Sequence, residues 1–211
     1  MIRVLIADDH AILRHGLKQV ICEAGDMEVS AEAESGLQTI KLAREKPFDV
    51  IVLDVNMPDR NGIDTLKQLK REQPKIAVLM LSMHPEEHYA LRALKAGASG
   101  YLNKQSAPAQ LVKAIRQVAS GHRYVSPALA EELADSFAGD TPERLPHETL
   151  SDREFETLRL IASGKKLSAI AEELSLSAKT VSVYRARLLE KMRLKNNTEL
   201  THYALKNHLV E

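Results

Sequence analysis

The stretch VIVLDVNMPDRNG, Val50 to Gly62, decides how the first half of this chain folds. It begins with four apolar, mostly β-branched residues, a pattern that predicts a strand buried on both faces of a sheet. Asp54 stands where the apolar run ends, and a loop containing Pro58 follows it. Ligands of open α/β sheets bind at the carboxyl ends of strands, so Asp54 is a candidate acceptor for a metal, a proton or a phosphoryl group. Taken alone, it is also interpretable as a turn or helix-cap residue.

Length and composition predict one or two globular domains without a membrane anchor. The chain has 211 residues, of which 44% are hydrophobic, enough to build a sizeable core. Aromatic residues make up only 4%, which argues against a protein that stacks single-stranded bases. No apolar run approaches the ~20 residues of a membrane span, and the early acidic residues do not fit a secretory signal. We therefore expect a cytoplasmic protein, in which the single cysteine, Cys22, is a buried helix residue.

Hydrophobic spacing in residues 1–120 predicts five strands that alternate with five helices. The expected strands cover 2–7, 27–33, 48–54, 76–81 and 100–102, and the expected helices cover 11–24, 37–44, 63–71, 86–96 and 107–119. Strands that alternate with helices in this way form a doubly wound, five-stranded parallel sheet.

Polar residues follow the strands at one edge of the expected sheet. Asp8 and Asp9 follow the first strand, Asp54 ends the third, and Ser82 and Lys104 follow the fourth and fifth. The carboxyl ends of parallel strands meet at one edge, so these side chains converge. Clustered carboxylates call for a hard cation such as Mg²⁺ between them, and a lysine beside them suits phosphoryl oxygens. This combination indicates phosphoryl transfer onto a carboxylate.

These residues, together with Met57-Pro58, Gly62 and Tyr101, resemble a response-regulator receiver domain of the flavodoxin-like fold. The resemblance implies that Asp54 accepts a phosphoryl group from a sensor histidine kinase. It implies that Mg²⁺ is held by Asp8, Asp9, the Asp54 carboxylate and the main-chain carbonyl of Asn56. It also implies that Ser82 and Tyr101 form a switch pair, in which the hydroxyl moves toward the phosphoryl group and the ring turns inward. Two departures, Ser82 where threonine is frequent and Gln105 where proline is frequent, remove no reacting group.

Residues 121–147 are expected to be a linker with a short helix. Ser126 and Pro127 suit the start of a helix that runs to about residue 137. Gly139, Pro142 and Pro146 then indicate a polar tether. Residues 121–150 carry six acidic and two basic side chains, whereas residues 151–211 carry eight acidic and eleven basic ones. The linker is therefore either a solvated acidic tether or a segment that docks transiently on the basic domain.

Residues 148–211 divide into four helices with the proportions of a helix-turn-helix domain. Ser151 and Glu154 form a capping box at the first helix, and a short turn ending at Ser177 separates the second helix from the third. The third helix, 178–192, has one apolar face and one polar face. On the polar face, Ser182, Val183 and Ala186 are small enough for close approach to base edges. Five further residues are placed to touch phosphates: Lys179, Thr180, Arg185, Arg187 and Lys191.

This second half resembles the LuxR-type DNA-binding domain of NarL/FixJ-class response regulators. The residues that carry the match are Leu150-Ser151-Asp152-Arg153-Glu154, Gly164, Ile170-Ala171, Leu174, Ser177, Lys179-Thr180-Val181, Lys191-Met192 and Thr198-Glu199-Leu200. Tyr184 stands where histidine is common, and Asn197 where arginine is common, which removes one expected phosphate contact.

Together the two resemblances predict a transcription regulator that is switched by phosphorylation of Asp54. It would pair into a homodimer on double-stranded DNA with inverted repeats. Two alternatives remain at this point. One is a constitutive DNA-binding regulator that uses its receiver only for dimerisation, and the other is an aspartyl-phosphate phosphatase. Asn56 stands where such a phosphatase needs a second acid–base aspartate, two residues after Asp54.

Overall fold

The structure is a computed structural model that describes residues 1–57, 59–83, 86–106, 108–126, 129–131, 145–174 and 176–210, without the side chains of 86–88. It divides the chain into two compact units, residues 1–138 and 139–211. In the described part of the chain, no helix combines the length and the apolar character needed to cross a bilayer.

The first unit contains a five-stranded parallel sheet. The strands are β1 (Ile2–Ala7), β2 (Met27–Ala33), β3 (Val50–Asp54), β4 (Ala77–Ser82) and β5 (Gly100–Asn103). Their order across the sheet is β2-β1-β3-β4-β5, and all four pairings are parallel. Every residue of β3 is buried, as its continuous apolar run predicts for a central strand. The expected doubly wound sheet is confirmed.

Five helices alternate with these strands: α1 (Ala11–Glu23), α2 (Gly36–Glu45), α3 (Gly62–Glu72), α4 (Glu86–Lys95) and α5 (Pro108–Ala119). Side chains cap α2 and α3: Ser35 accepts a hydrogen bond from the amide of Gln38, and Asn61 accepts one from the amide of Ile63. On one side of the sheet, alternate residues of β1, β3 and β4 pack with apolar residues of α1 and α5 into one core. This core fixes the carboxyl edge of the sheet.

The second unit is helical. A 3₁₀-helix (Pro146–Thr149) precedes α6 (Asp152–Ala162), α7 (Leu167–Glu173), α8 (Ala178–Met192) and α9 (Asn197–Lys206). The predicted capping box is present at α6, where the Ser151 side chain accepts from the amide of Glu154 and the Glu154 carboxylate accepts from the amide of Ser151. Val181, Leu188 and Met192 form the buried face of α8. The helix-turn-helix arrangement is therefore confirmed.

Some local expectations differ from the structure. Cys22 is exposed rather than buried, because it lies on the solvent side of α1, next to the buried Ile21. Strand β3 begins at Val50 rather than at residue 48, because the amide of Asp49 already bonds the Arg3 carbonyl outside the regular ladder. Strand β4 is shifted to Ala77–Ser82, so Ser82 ends the strand rather than following it.

The interdomain segment is only partly described. Ser126 accepts a hydrogen bond from the amide of Leu129, as expected of an N-cap, and residues 129–131 are helical. The remainder of the expected linker helix, and most of the tether, lie outside the described residues. The boundaries at 120/121 and 147/148 stay a prediction.

Candidate functional site

Three side chains meet at the carboxyl edge of the sheet, in the interior of the first unit. Asp8 follows β1, Asp54 ends β3, and Lys104 follows β5; their side chains are 1%, 2% and 3% exposed. The Lys104 Nζ atom lies 2.6 Å from Asp54 Oδ2 and 2.6 Å from Asp8 Oδ2. Ser82, at the end of β4, is buried with them. The structure thus brings together the four buried groups that strand positions predicted.

Charge and burial compete in setting the ionisation of this cluster. Burial raises the pKa of Asp54 to about 6, and the neighbouring Asp8 adds to the rise, while the ammonium of Lys104 opposes it. Burial also disfavours the charged form of Lys104, but Asp54 and Asp8 outweigh it and raise the pKa of the lysine. One ammonium therefore balances two carboxylates only in part, which leaves a net negative pocket.

The pocket fits a hard divalent cation. Asp8, Asp9, His10 and Asp54 each offer one ligand atom, and all these atoms lie within 4.8 Å of one another. Asp8 is buried, and its Oδ2 atom pairs with the ammonium of Lys104 at 2.6 Å. Carboxylate oxygens at this spacing suit an octahedral ion such as Mg²⁺. Asn56 lies next to them, with its amide donating to Asp54 Oδ1 at 3.2 Å.

Tyr101 of β5 is fully buried, so its ring already lies in the interior. The ring therefore already has the buried position that the inward turn is expected to produce. Ser82 is also buried, with 1% of its surface exposed. It lies on β4 and Tyr101 lies on β5, so the two residues of the expected switch pair are on neighbouring strands.

Gly62 allows the loop after Asp54 to close tightly on β3. A Cβ atom at this position would lie 2.0 Å from the Asp54 carbonyl oxygen and 2.8 Å from the Val55 Cα. The Gly62 amide donates to the Val55 carbonyl at 2.8 Å. Any side chain at position 62 would push the loop away from the strand end that carries Asp54.

Sequence reasoning missed two further residues at this edge, Arg14 and Asp59. Arg14 is buried, and its Nη1 donates to the Asp8 carbonyl at 2.7 Å while its Nη2 donates to Glu34 Oε1 at 2.7 Å. Arg14 stands at helical spacing from Leu17 and Ile21, on the apolar face of α1, and this spacing could have indicated that Arg14 is buried. Asp59 accepts from the amides of Gly36 and Leu37, and so ties the loop after β3 to the first turn of α2.

The second unit presents the predicted nucleic-acid face on α8. Lys179, Ser182, Val183, Ala186 and Arg187 are exposed, and Thr180 and Arg185 are half-buried. Three of the predicted phosphate-contacting residues have protein partners. The Thr180 hydroxyl lies 2.8 Å from the Ser177 hydroxyl. Lys191 Nζ lies 2.6 Å from Glu154 Oε2, and Arg185 Nε donates to Asn197 Oδ1 at 2.6 Å. The substitution at position 197 therefore supplies a partner for Arg185 in place of a further cation.

Family comparisons agree with both halves of this geometry. Residues 4–116 match the response regulator receiver domain, and residues 148–204 match the luxR family of bacterial regulatory proteins. This chain belongs to the response regulators. It is a two-component response regulator of the NarL/FixJ class, with a receiver domain and a LuxR-type DNA-binding domain. This family consists of transcription regulators rather than enzymes, which contradicts the phosphatase alternative.

Full-length relatives share both domains of this response regulator. Response regulator UvrY of Escherichia coli (strain K12) is 35% identical over 209 residues, which cover 99% of this chain and 96% of the relative. Response regulator GacA of Pseudomonas aeruginosa is 36% identical over 211 residues, which cover 100% and 99%.

A solved structure adds a DNA-bound comparison for the response regulator. RcsB from Salmonella enterica serovar Typhimurium, bound to promoter rprA in the presence of the phosphomimetic BeF₃⁻, is 27% identical with a TM-score of 0.64. The match covers 96% of this chain and 97% of that one. A second structure contains two RcsB dimers bound to two parallel DNAs. The acidic cluster of Asp8, Asp9 and Asp54 is typical of a receiver phosphorylation site.

Proposed function

We propose that this response regulator is phosphorylated on Asp54 by a sensor histidine kinase and then binds inverted-repeat DNA as a homodimer. The observation that carries the proposal is the buried triangle of Asp54, Asp8 and Lys104, in which one ammonium lies 2.6 Å from both carboxylates. This arrangement supports a nucleophilic carboxylate with a cation poised beside it. The chain acts in the cytoplasm, where such a kinase presents its phosphohistidine.

The proposed transfer uses groups that the chain itself supplies. A carboxylate oxygen of Asp54 attacks phosphorus, the new P–O bond forms as the P–N bond of the phosphohistidine breaks, and the imidazole leaves with the electron pair. Lys104 moves from pairing with the free carboxylate to pairing with a phosphoryl oxygen, where its positive charge stabilises the negative charge of the transferring group. Ser82 donates a hydrogen bond to another phosphoryl oxygen, and Tyr101 occupies the space behind the shifted hydroxyl.

A divalent cation is the second component of the proposed site. Asp8, Asp9, Asp54 and the main-chain carbonyl of Asn56 would hold Mg²⁺, which supplies charge to neutralise the phosphoryl oxygens. The negative balance of the pocket and the close spacing of the Asp8, Asp9 and Asp54 carboxylates support this assignment. Asp54 serves both as a ligand and as the phosphate acceptor.

The output of the proposed switch is α8 in the major groove. Ser182, Val183 and Ala186 face base edges, while Lys179, Thr180, Arg185, Arg187 and Lys191 contact phosphates. For Arg185 and Lys191 this means sharing or exchanging their present partners, Asn197 and Glu154. The DNA-bound dimers of RcsB support a two-fold arrangement on paired half-sites. Phosphorylation raises the population of the dimer-competent form.

The test is selection from fragmented genomic DNA with Mg²⁺ and a small-molecule phosphodonor. Wild type, Asp54→Asn and the matched control Asp64→Asn, a half-buried carboxylate on α3 that pairs with Lys67, are compared. We expect enrichment of a common sequence that rises with phosphodonor for wild type and for Asp64→Asn only. Equal enrichment by Asp54→Asn would leave a constitutive DNA-binding regulator. No enrichment by any variant would overturn the assignment of α8.

A further inference from the structure

Arg185 is a cation of the α8 face whose partner is a neutral side chain. Its Nε atom donates at 2.6 Å to Oδ1 of Asn197, the first residue of α9. Lys191 differs, because its Nζ atom lies 2.6 Å from the Glu154 carboxylate. A carboxylate cancels the charge of the cation that it holds, whereas an amide oxygen carries no net charge. Arg185 is thus held in place with its positive charge left for a negatively charged partner.

The turn between α8 and α9 determines where Asn197 lies. Arg193 ends α8 in the left-handed region, with a φ of 55°. The Glu199 carboxylate accepts from the Lys195 amide at 2.7 Å and from the Asn196 side chain at 3.2 Å. Asn196 caps α9 in return, because its Oδ1 atom accepts the Glu199 amide at 3.0 Å. The position of Asn197 is therefore set by the capping bonds of its own helix.

A bond through Nε leaves the outer edge of a guanidinium group for other partners. Arginine has five N–H donors in one plane, of which Nε supplies one and the two Nη atoms supply four. Because the Nε–H bond lies in that plane, the bond to Asn197 sets the direction in which the Nη atoms of Arg185 point. Parallel donors of this kind match two oxygens of a phosphate group. An arginine that is ordered before binding also loses less rotamer freedom when DNA binds.

We infer that Asn197 is a positioning residue, which holds Arg185 so that its Nη atoms meet a DNA phosphate. The inference rests on the proposed function, because it takes α8 as the DNA-binding helix. It adds that the first turn of α9 contributes to DNA affinity through Arg185. The ordering cost of a long side chain at an interface corresponds to about two- to tenfold in affinity, and this is the expected contribution of Asn197 in each DNA-binding domain.

Two simpler roles for Asn197 are direct contact with DNA and stabilisation of the turn. Asn197→Leu removes the acceptor at a similar side-chain size, whereas Asn197→Asp keeps the acceptor but cancels the charge of Arg185. Arg185→Ala, alone and combined with Asn197→Leu, completes a double-mutant cycle. Asn196→Ser is the matched control, because serine retains a cap for α9 and residue 196 bonds to Glu199.

The first measurement needs no DNA. The ¹⁵N resonance of Arg185 Nε in the full-length protein reports whether the guanidinium is ordered. We expect an ordered, slowly exchanging Nε–H in wild type, Asn197→Asp and Asn196→Ser, and a mobile one in Asn197→Leu. A mobile Nε–H in wild type, or an equally ordered one in Asn197→Leu, would overturn the inference.

The second measurement follows operator affinity against salt concentration by fluorescence anisotropy, with phosphodonor present. Since the proposed dimer contains two DNA-binding domains, Asn197→Leu should weaken binding by about fourfold or more without changing the salt slope. Asn197→Asp and Arg185→Ala should each lower the slope by about 2, which corresponds to one phosphate contact in each domain. In the Arg185→Ala background, Asn197→Leu should weaken binding by less than about 1.5-fold.

Two affinity results would also overturn the inference. An undiminished effect of Asn197→Leu in the Arg185→Ala background would show that Asn197 contacts DNA directly. An equal loss of affinity in Asn196→Ser would show a general effect of the turn. Both results leave the proposed function intact. Failure of wild type to bind any operator is a separate result, directed against the proposed function, and the Nε resonance still tests the placement of Arg185.

Discussion

At the scale of single residues, Asp54 shows how a reactive site opposes stability. Its carboxylate is buried beside a second carboxylate, so that its pKa rises to about 6. An acid whose pKa is higher in the folded protein than in the unfolded chain destabilises the fold once it ionises. The neighbouring Lys104 reduces this effect without removing it. The proposed phosphoacceptor is therefore a residue whose charge costs stability in the absence of a metal.

Asp54→Asn should stabilise the metal-free protein at neutral pH. A rise of about two pKa units corresponds to up to about 3 kcal/mol in the free energy of unfolding at pH 7. Since Asp54 is progressively protonated below its raised pKa, the advantage of the variant should shrink between pH 6 and pH 4. Denaturant unfolding in EDTA across this range measures it. An advantage that is absent at pH 7, or constant with pH, contradicts the account.

Arg14 should support the pocket through the loop that carries Asp8. Arg14→Met keeps much of the buried volume but removes the hydrogen bonds to the Asp8 carbonyl and to Glu34. We expect unfolding free energy to fall by about 1–3 kcal/mol and Mg²⁺ to bind more weakly.

The matched control for Arg14 is Arg116→Met. Arg116 pairs with Asp26, but both side chains are about half exposed, and surface pairs contribute at most about 1 kcal/mol. Denaturant unfolding and Mg²⁺ titration compare the two variants. Equal effects of both substitutions on Mg²⁺ affinity would show that Arg14 has no special connection to the pocket.

At the scale of elements, regular rules predicted much of the fold and of the site. Continuous apolar runs and helical spacing located β3 and α8, because burial imposes those periods. The carboxyl-edge rule brought Lys104 to Asp54, although they lie 50 residues apart in sequence. Irregular contacts escaped prediction. Arg14 bonds a main-chain carbonyl of the loop after β1, and Asp59 bonds main-chain amides of the first turn of α2. Such contacts depend on tertiary packing, which no local pattern encodes.

The two kinds of DNA contact proposed for α8 should separate by salt dependence. Lys179→Ala should weaken binding to all sequences and reduce the slope of log affinity against log salt by about 1, as expected for the loss of one phosphate contact. Val183→Ala should leave the slope unchanged and alter sequence preference instead.

Fluorescence anisotropy with a selected operator and with altered operators, at several salt concentrations, measures both effects. Lys75→Ala, an exposed lysine of the receiver unit, is the control for lost charge. The assignment of the α8 face would be wrong if Lys179→Ala behaved like this control.

At the scale of the whole molecule, the chain joins a receiver domain to a LuxR-type DNA-binding domain. The receiver and the LuxR-type domain are separate compact units. The segment that joins them is acidic, whereas the DNA-binding domain is basic. The proposed dimerisation would strengthen binding, because two linked DNA-binding domains on paired half-sites raise each other's effective concentration. The single chemical event at Asp54 is expected to control that pairing.

The most direct test of the central claim measures operator affinity and oligomeric state together. Wild type and Asp54→Asn are each examined with Mg²⁺, with and without phosphodonor, by anisotropy on the selected operator and by analytical ultracentrifugation. We expect phosphodonor to convert wild type to a dimer and to tighten its operator binding, while Asp54→Asn stays in the unphosphorylated state. Operator affinity and oligomeric state that do not respond to phosphodonor in wild type, although mass spectrometry shows phosphorylated Asp54, would contradict it.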